Sequence, residues 1–265
     1  MSHDYKKRIN AVLIAGGEWH DIDFARLEIL KLLSEDERVR TRVFENYDTA
    51  AKALETADFL ISYTCNVRCA ASTEQALKAF IESGRRWYAL HGTNSILEFL
   101  APEGVEYGKG ELNVHAPNVA PTFMEVLGSR FIAHPPIGPY QVHVTQPEHP
   151  LVEGVTSFET SDELYLLDVT GEIDVMLHAE FEGKAPGFVV KDWPKANHPV
   201  FYTHKLGQGE VLYLTLGHCR GHYDMTDFME YYPNVDRCAW ELPVFYTLLR
   251  RGIDWAKSSV FSKLS

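Results

Sequence analysis

The sequence predicts an α/β protein whose core is a mostly parallel, doubly wound sheet. Two apolar runs in the first 90 residues, INAVLIAGG and DFLISYTC, have the length and continuity of strands buried on both faces, and two further strands are predicted between and after them. Segments with helical spacing separate these runs, and strands that alternate with helices form parallel βαβ units. Beyond residue 100 the chain is rich in proline and glycine, which favours ordered loops and short antiparallel strands.

The predicted βαβ core occupies about residues 8–100. Its first strand, INAVLIAGG, is a continuous apolar run that ends in two glycines, and an amphipathic helix follows it. In the third helix, Ser72 is the predicted N-cap and Gly84 lies just past the end. The predicted strands are 9–17, 40–46, 58–65 and 86–90, and the helices are 23–36, 48–57 and 72–84.

The second half, about residues 101–239, is predicted to elaborate this core with loops and short strands. The segment AWELPVFYTLLRRGIDWA then predicts a C-terminal helix at about 240–257. We find no internal repeat, low-complexity segment or flexible linker, so we expect one domain over residues 1–265. The strands expected in this half lie near 141–145, 173–178, 186–190, 199–203 and 210–216.

Composition and charge limit the classes of partner. The chain has 265 residues, of which 45% are hydrophobic, and a formal net charge of −12. A chain of this length buries a full core. Its longest basic run, YKKR, is too short to collect phosphates, so we expect no nucleic-acid partner. No run of about 18 apolar residues and no hydrophobic leader occurs, so we expect a cytoplasmic protein that does not bind membranes.

Three histidines follow predicted strands. His20 comes after VLIAGGEW, His91 after RWYAL and His218 after VLYLTLG. In doubly wound sheets, ligands bind beyond the carboxyl ends of the strands, so these imidazoles should meet. With Asp21 or Glu163 nearby they can hold a divalent ion such as zinc, manganese or iron. They can also carry protons, or simply hydrogen-bond loop carbonyls.

Two short motifs near these strand ends are weaker signals. In HCRGH, His222 lies four residues after His218, but Gly221 disfavours the helix that would place both on one face. We therefore interpret His222 as lining the site rather than binding a metal. The glycine pair in AGGEWHD lacks the spacing of a dinucleotide fingerprint, so we expect no nicotinamide or flavin cofactor.

Three stretches resemble the trehalose-utilisation (ThuA-like) family, a branch of the class I glutamine amidotransferase-like superfamily. They are HPLVEGVTSFETSDELYLLD, HPVFYTHKLGQGEVLYLTLGH and the closing RGIDWA. The resemblance covers most of the chain, and DELY and the strand with LGH are its most specific parts. It implies a flavodoxin-like three-layer α/β/α sandwich. It also implies a role in the metabolism of trehalose, other disaccharides or oxidised sugars.

The sequence departs from the amidotransferases of that superfamily at the residues that hydrolyse glutamine. Those enzymes have a cysteine in the turn after the strand that here reads RWYAL, where His91 or its neighbour now stands. An imidazole is not a stable acyl carrier. After His218, Cys219 and Arg220 replace the expected proline and glutamate, so we predict no glutaminase activity. Cys65 also ends a strand, and we interpret it as a small buried thiol rather than a nucleophile.

Two functions fit these residues. In the first, the protein is an isomerase, lyase or hydrolase that acts on a keto-sugar by metal-assisted proton transfer, with His91, Glu163 and His218 as catalytic residues. In the second, it is a non-catalytic sugar-binding or regulatory protein. The aromatic stretch at 228–240 predicts either a homo-oligomer contact or a cover over the crevice. The predicted substrate contacts are Trp19, Asp21, Thr93, Asn94 and Tyr223.

Overall fold

The computed structural model describes residues 8–100, 113–224 and 234–262. Strands alternate with helices in the first half, and strands dominate the second. The strands are β1 (Ile9–Gly17), β2 (Val39–Phe44), β3 (Phe59–Cys65), β4 (Arg86–Leu90), β5 (Glu98–Leu100), β6 (Asn113–His115), β7 (Ser129–Ala133), β8 (Gly138–Val144), β9 (Phe158–Asp162), β10 (Leu166–Val169), β11 (Ile173–Lys184), β12 (Asp192–Leu206) and β13 (Gly209–Leu214). The helices are α1 (Ile22–Leu33), α2 (Tyr47–Leu54), α3 (Ala71–Glu82), α4 (Pro121–Leu127) and α5 (Pro243–Ser262).

One mixed sheet joins both halves of the chain. Over the described residues it has nine strands, in the order β2-β1-β3-β4-β13-β12-β11-β8-β9. The five strands from β2 to β13 are parallel, and every pairing from β13 to β9 is antiparallel. The prediction of a mostly parallel sheet therefore holds for one side only. A two-residue turn joins β12 to β13, and a connection this short permits only antiparallel pairing. The three-layer arrangement stays a prediction.

The buried strands of the parallel side explain the apolar runs in the sequence. All seven residues of β3 are buried, as are most of those in β1. β1 ends beside β3 at Gly17, whose backbone φ is +111°. A Cβ there would lie 1.9 Å from the carbonyl oxygen of Cys65, so only glycine permits this close approach. In the part of the chain that the structure describes, no helix is long and apolar enough to cross a membrane.

The second half differs from the prediction in its local elements. Residues 186–190 are not a strand but a turn between β11 and β12, with an isolated bridge from Phe188 to Val114. Pro186 and Gly187 open this turn, because neither residue favours continued strand pairing. The strands β11 and β12 are longer than expected, at 12 and 15 residues. The unpredicted elements are β5, β6, β7, β9, β10 and α4, all of seven residues or fewer.

Helix boundaries also differ from the prediction: α1 and α2 each end three residues early, and α3 and α5 begin elsewhere than expected. The helix α3 begins at Ala71 with Ala70 at its N-cap, so Ser72 lies inside the first turn and does not cap it. Gly84 follows the helix with a φ of +88°, as predicted. The C-terminal helix begins at Pro243 rather than at residue 240, because proline suits the first helical position. Residues 238–241 form a separate 3₁₀ turn.

Candidate metal centre

The ends of three parallel strands bring three histidines together at one edge of the sheet. His20 lies three residues after β1, His91 immediately after β4 and His218 four residues after β13. Glu163 joins them from the end of β9, on the antiparallel side. One ligand atom from each of the four side chains lies within 4.8 Å of the others. The imidazoles are buried, and the Glu163 side chain is only 12% exposed.

Backbone carbonyls orient two of the imidazoles. Nδ1 of His20 lies 2.9 Å from the oxygen of Glu18, and Nδ1 of His91 lies 2.9 Å from the oxygen of Thr215. A carbonyl only accepts hydrogen bonds, so each Nδ1 carries the hydrogen and each Nε2 of a neutral ring has a lone pair. The two Nε2 atoms are 2.9 Å apart. Two lone pairs at this distance repel unless they share a cation, which can be a proton or a metal ion.

Glu163 supplies negative charge to the cluster. Its Oε2 lies 3.5 Å from Nε2 of His91, and its Oε1 lies 3.2 Å from Nδ1 of His218 and 3.4 Å from Nε2 of His134. Burial opposes ionisation, but the surrounding histidines outweigh it and hold the pKa of Glu163 well below its usual value. Glu163 is therefore a carboxylate that can only accept hydrogen bonds or bind a cation.

The three imidazoles differ in pKa. Burial, with a contribution from His91, lowers the pKa of His20 to about 4, and burial lowers the pKa of His218 well below its usual value. Burial also acts on His91, but the hydrogen bond and charge of Glu163 outweigh it and raise the pKa. Nε2 of His218 has no hydrogen-bond partner within the described residues. At neutral pH the cluster thus contains two neutral imidazoles and a carboxylate, all suited to bind a metal ion.

Asp162 holds the loop that carries His218. Its Oδ2 accepts hydrogen bonds from the backbone N–H groups of Gly217 and Ala239, at 2.9 and 3.2 Å. Its Oδ1 accepts from the N–H groups of His218 and Glu163, at 3.1 and 2.7 Å. One buried carboxylate thereby joins the end of β9, the loop after β13 and the 3₁₀ turn at 238–241. Asp162 fixes the position of two members of the cluster through their backbone.

A cavity of about 650 Å³ opens beside the cluster. His20, Glu163 and His218 form part of its wall, so a ligand in the cavity would reach the cluster directly. Arg220 and Asp236, which form an ion pair with each other, also line it. Large apolar side chains make up much of the remaining wall, among them Trp19, Leu97, Phe99, Phe131 and Phe188.

A sequence model of the family described as "ThuA: Trehalose utilisation" matches residues 11–234. The chain belongs to the ThuA family. A search of curated protein sequences found no match.

Solved structures share the fold of this ThuA-family chain. A protein described as ThuA-like from Bacteroides uniformis is 16% identical, with a TM-score of 0.64 over 97% of this chain and 94% of that one. A second, from Parabacteroides merdae, is 16% identical, with a TM-score of 0.65 over 94% and 90%. A cold-adapted β-galactosidase from Rahnella sp. R3 is 14% identical, with a TM-score of 0.51 over 89% of this chain and 31% of that one. Identities this low show a common fold and nothing about the reaction.

In the ThuA-family chain, only one of the predicted substrate contacts lies on the cavity wall. Trp19 lines the cavity, with a backbone φ of +61°. Thr93 and Asn94 lie in the core instead, in the 3₁₀ turn that begins at His91. Thr93 donates to the oxygen of Leu90 at 2.8 Å, and the side-chain amide of Asn94 donates to Oγ of Ser129 at 2.7 Å. These two side chains hold the turn of His91, which has a φ of +43°.

The remaining predicted contacts lie away from the cavity wall. Asp21 caps α1 by accepting a hydrogen bond from the N–H of Phe24, and it forms an ion pair with Arg237 at 2.9 Å. Tyr223 is 80% exposed, in the turn that follows Gly221. His222 is exposed in the same turn, beside the ring of Tyr223. The structure therefore does not bring His222 to the cluster. The aromatic residues at 228–233 lie outside the described residues.

His134 is a cavity residue that the sequence did not predict. It directly follows β7, and its ring contacts Phe188 with a centroid distance of 4.9 Å. Its Nδ1 is 2.8 Å from the oxygen of Pro135, and its Nε2 lies 3.4 Å from Oε1 of Glu163. A histidine at a strand end is the same signal that identified His91. It was missed because the short strand β7, between α4 and a proline-rich loop, was not predicted.

Cys65 lines the cavity at the end of β3. Burial, reinforced by the charge of Glu163, raises the pKa of the Cys65 thiol well above its usual value. The reactive form of a cysteine is the thiolate, so this environment suppresses nucleophilic attack. The geometry agrees with the interpretation of Cys65 as a buried neutral thiol.

Proposed function

We propose that this ThuA-family protein is a cytoplasmic enzyme of carbohydrate metabolism that binds a divalent metal ion and acts on a keto-sugar by proton transfer. The observation that carries the proposal is the 2.9 Å separation of the Nε2 atoms of His20 and His91. Both Nδ1 atoms are engaged by carbonyls, so both lone pairs face the same buried point. The family description supports the carbohydrate context.

The donor set fits a divalent transition metal. His20, His91, His218 and Glu163 offer three nitrogens and one oxygen, a combination that zinc, manganese and iron accept. Metal-binding histidines usually donate their second ring N–H to a carbonyl or carboxylate, as His20 and His91 do here. When bound, the ion would act as a Lewis acid toward the carbonyl of a keto-sugar.

The groups proposed to move protons are the His134 imidazole and the Glu163 carboxylate oxygen that would not bind the ion. They lie 3.4 Å apart, and both line the cavity. A hydrogen on the carbon beside a carbonyl is acidic, so a carboxylate or a neutral imidazole can remove it while the electron pair moves to the carbonyl oxygen. Return of the proton at a neighbouring atom isomerises the sugar, whereas departure of a group on the adjacent carbon makes the reaction an elimination. This chemistry needs no cysteine nucleophile.

The same histidine pair supports one alternative. If a proton rather than a metal ion lies between the two rings, all four of their nitrogens are satisfied within the protein. Sugar hydroxyls would then bond to the Glu163 carboxylate and the His218 ring. The raised pKa of His91, caused by Glu163 against the effect of burial, favours such a proton. The protein would then be a non-catalytic sugar-binding or regulatory protein.

Elemental analysis of the purified protein, together with NMR assays of keto-disaccharide conversion, separates the two functions. We expect about one divalent ion per chain, and the loss of both metal and turnover in His91→Ala and His218→Ala. The matched control is His222→Ala, which removes an exposed imidazole four residues from His218 and should keep both. A metal-free wild-type protein that converts no keto-disaccharide would favour the sugar-binding function.

A further inference from the structure

We infer that the sugar substrate carries an apolar group, such as an aryl or alkyl aglycone, that lies along one wall of the cavity. This inference rests on the proposed function, because it names the substrate class of the same site. It is carried by a continuous apolar surface that leads from the outside of the molecule to the metal-binding cluster.

The outer part of this surface is built from five separate segments of the chain. Trp19, after β1, meets Phe99 of β5 with a ring centroid distance of 4.8 Å. Phe99 pairs with Val114 of β6, and Val114 bridges to Phe188 in the turn between β11 and β12. The ring of Phe188 then lies 5.7 Å from that of Phe131 in β7. These five apolar side chains all line the cavity.

The inner part of the surface ends at the cluster. The ring of Phe131 lies 4.6 Å from that of Tyr165, and the ring of Tyr165 lies 4.7 Å from the imidazole of His91. The Tyr165 hydroxyl is 3.2 Å from Nε2 of His91. Aromatic side chains therefore line the cavity as far as the cluster itself, where they can pack against an apolar group.

The polar groups of the wall are concentrated near the cluster. Arg220 lies two residues after His218 and pairs with Asp236, and their side chains are 8% and 28% exposed. Together the pair offers donors and acceptors, which suits the hydroxyl groups of one sugar unit.

A second sugar unit is a poor match for the rest of the wall. Its hydroxyls would lie mostly against Phe99, Val114, Phe131 and Phe188, which offer no side-chain hydrogen bonds. His134 contacts the rings of Phe131 and Phe188, but its Nε2 is directed to Glu163. A buried hydroxyl without a partner costs free energy, whereas an aryl or alkyl group gains free energy on leaving water. The distribution of polar and apolar residues therefore favours an aglycone over a second sugar.

Ligand-observed NMR titrations of the metal-loaded protein test this inference. The probes are the methyl and phenyl glycosides of glucose, galactose and mannose, each as both anomers, together with trehalose. For at least one sugar and anomer we expect the phenyl glycoside to bind at least tenfold more tightly than the methyl glycoside, because the phenyl ring removes more apolar area from water. Trehalose should bind more weakly than that phenyl glycoside.

A pair of adjacent substitutions locates the effect. Phe99 lines the cavity, whereas its neighbour Leu100 is 44% exposed on the other side of β5. Phe99→Ala should reduce the preference for phenyl at least fivefold, and Leu100→Ala should leave it unchanged. Equal binding of methyl and phenyl glycosides, or no binding of any probe, would overturn the inference. Metal content measured on the same samples reports separately on the proposed function, so the two failures are distinguishable.

Discussion

Nε2 of His20 and Nε2 of His91 lie 2.9 Å apart although their strands, β1 and β4, are not neighbours in the sheet. β3 lies between these strands, and the two imidazoles meet beyond its carboxyl end. Because a backbone carbonyl orients each ring, the fold of the chain itself fixes this arrangement. The cluster should therefore exist before any ion binds, and four properties of the molecule follow from it or from the fold around it.

Removal of the proposed metal ion should lower the melting temperature. A ligand at 1,000 times its dissociation constant stabilises the folded state by about 4 kcal/mol. In a protein of this size that corresponds to roughly 10 °C. Calorimetry of chelator-treated protein, with and without added zinc, measures the shift. His91→Ala should show no response to zinc, and His222→Ala should respond like the wild type. Identical melting temperatures with and without zinc in the wild type would contradict the prediction.

Asp162→Asn should weaken metal binding and reduce stability. In the wild type, each carboxylate oxygen of Asp162 accepts hydrogen bonds from two backbone N–H groups. An amide has only one acceptor oxygen, so in the variant its NH₂ group faces two backbone N–H groups and leaves them without an acceptor. We expect a cost of about 2–3 kcal/mol in the free energy of unfolding, measured with urea, and at least a tenfold loss of zinc affinity.

The control for this prediction is Asp168→Asn. Asp168 pairs with Arg130 at 3.0 Å, but its side chain is 51% exposed. An exposed ion pair contributes about 0–1 kcal/mol, so this variant should lose little stability and no zinc affinity. An Asp162→Asn variant that binds zinc like the wild type would show that the carboxylate does not position His218.

Gly17→Ala should be far more destabilising than Gly154→Ala. Both glycines have positive φ, +111° and +71°, and a Cβ at Gly154 would meet nothing within 4 Å. Gly154→Ala should therefore cost only the conformational penalty of about 1–2 kcal/mol. Gly17→Ala adds the clash with the carbonyl of Cys65 and should cost more than about 4 kcal/mol. Urea unfolding of both variants checks this, and equal costs would contradict the close approach of β1 and β3.

The Asp36 carboxylate should stabilise the protein at neutral but not at acid pH. Arg38 donates two hydrogen bonds to it, at 2.9 and 2.7 Å, and Lys257 of α5 approaches to 3.3 Å. The hydrogen bonds from Arg38, followed by Lys257, outweigh burial and lower the pKa of Asp36. Because the folded pKa is depressed, the stabilisation is complete above about pH 4, the unfolded value, and is lost as the pH falls toward the folded pKa.

The measurement is urea unfolding of Asp36→Asn and wild type at pH 6 and pH 2.5. We expect a difference of about 1 kcal/mol at pH 6 that shrinks at pH 2.5. Asp23→Asn serves as the control, because the Asp23 side chain is 87% exposed in its pair with Arg26. The free energy of unfolding of Asp23→Asn should match that of the wild type at both pH values. If Asp36→Asn is less stable than the wild type by the same amount at both pH values, the ionic contribution is excluded.

The parallel half of the sheet, and the histidines at its edge, could be predicted from the sequence for one physical reason. Strands covered on both faces are continuously apolar, and all parallel strands end at the same edge. His20, His91 and His218 could therefore be placed together before their distances were known. Glu163 could not be placed in this way, because it follows β9 on the antiparallel side, where strand direction alternates.

The rest of the site depends on features too short or too nonlocal to leave a periodic signal. The strand before His134 has five residues, and the segment FVV after Gly187 has the composition of a strand but forms a turn. Tyr223 is a predicted substrate contact, yet the exposure of its side chain depends on how its loop leaves the sheet. The direction of a loop is decided by tertiary contacts, so it cannot be predicted from local composition.

The unusual backbone at His91 is one of four such cases, and Trp19, which lines the cavity, is another. Non-glycine residues with positive φ are, within the described residues, Trp19, Asn66, His91 and Cys238. Each such conformation costs on the order of 1 kcal/mol. Selection for heat resistance alone should therefore favour substitutions that relax these conformations, and such substitutions would also change the geometry of the site. During evolution, substitutions that raise the melting temperature by relaxing these residues should therefore impair the function of the site.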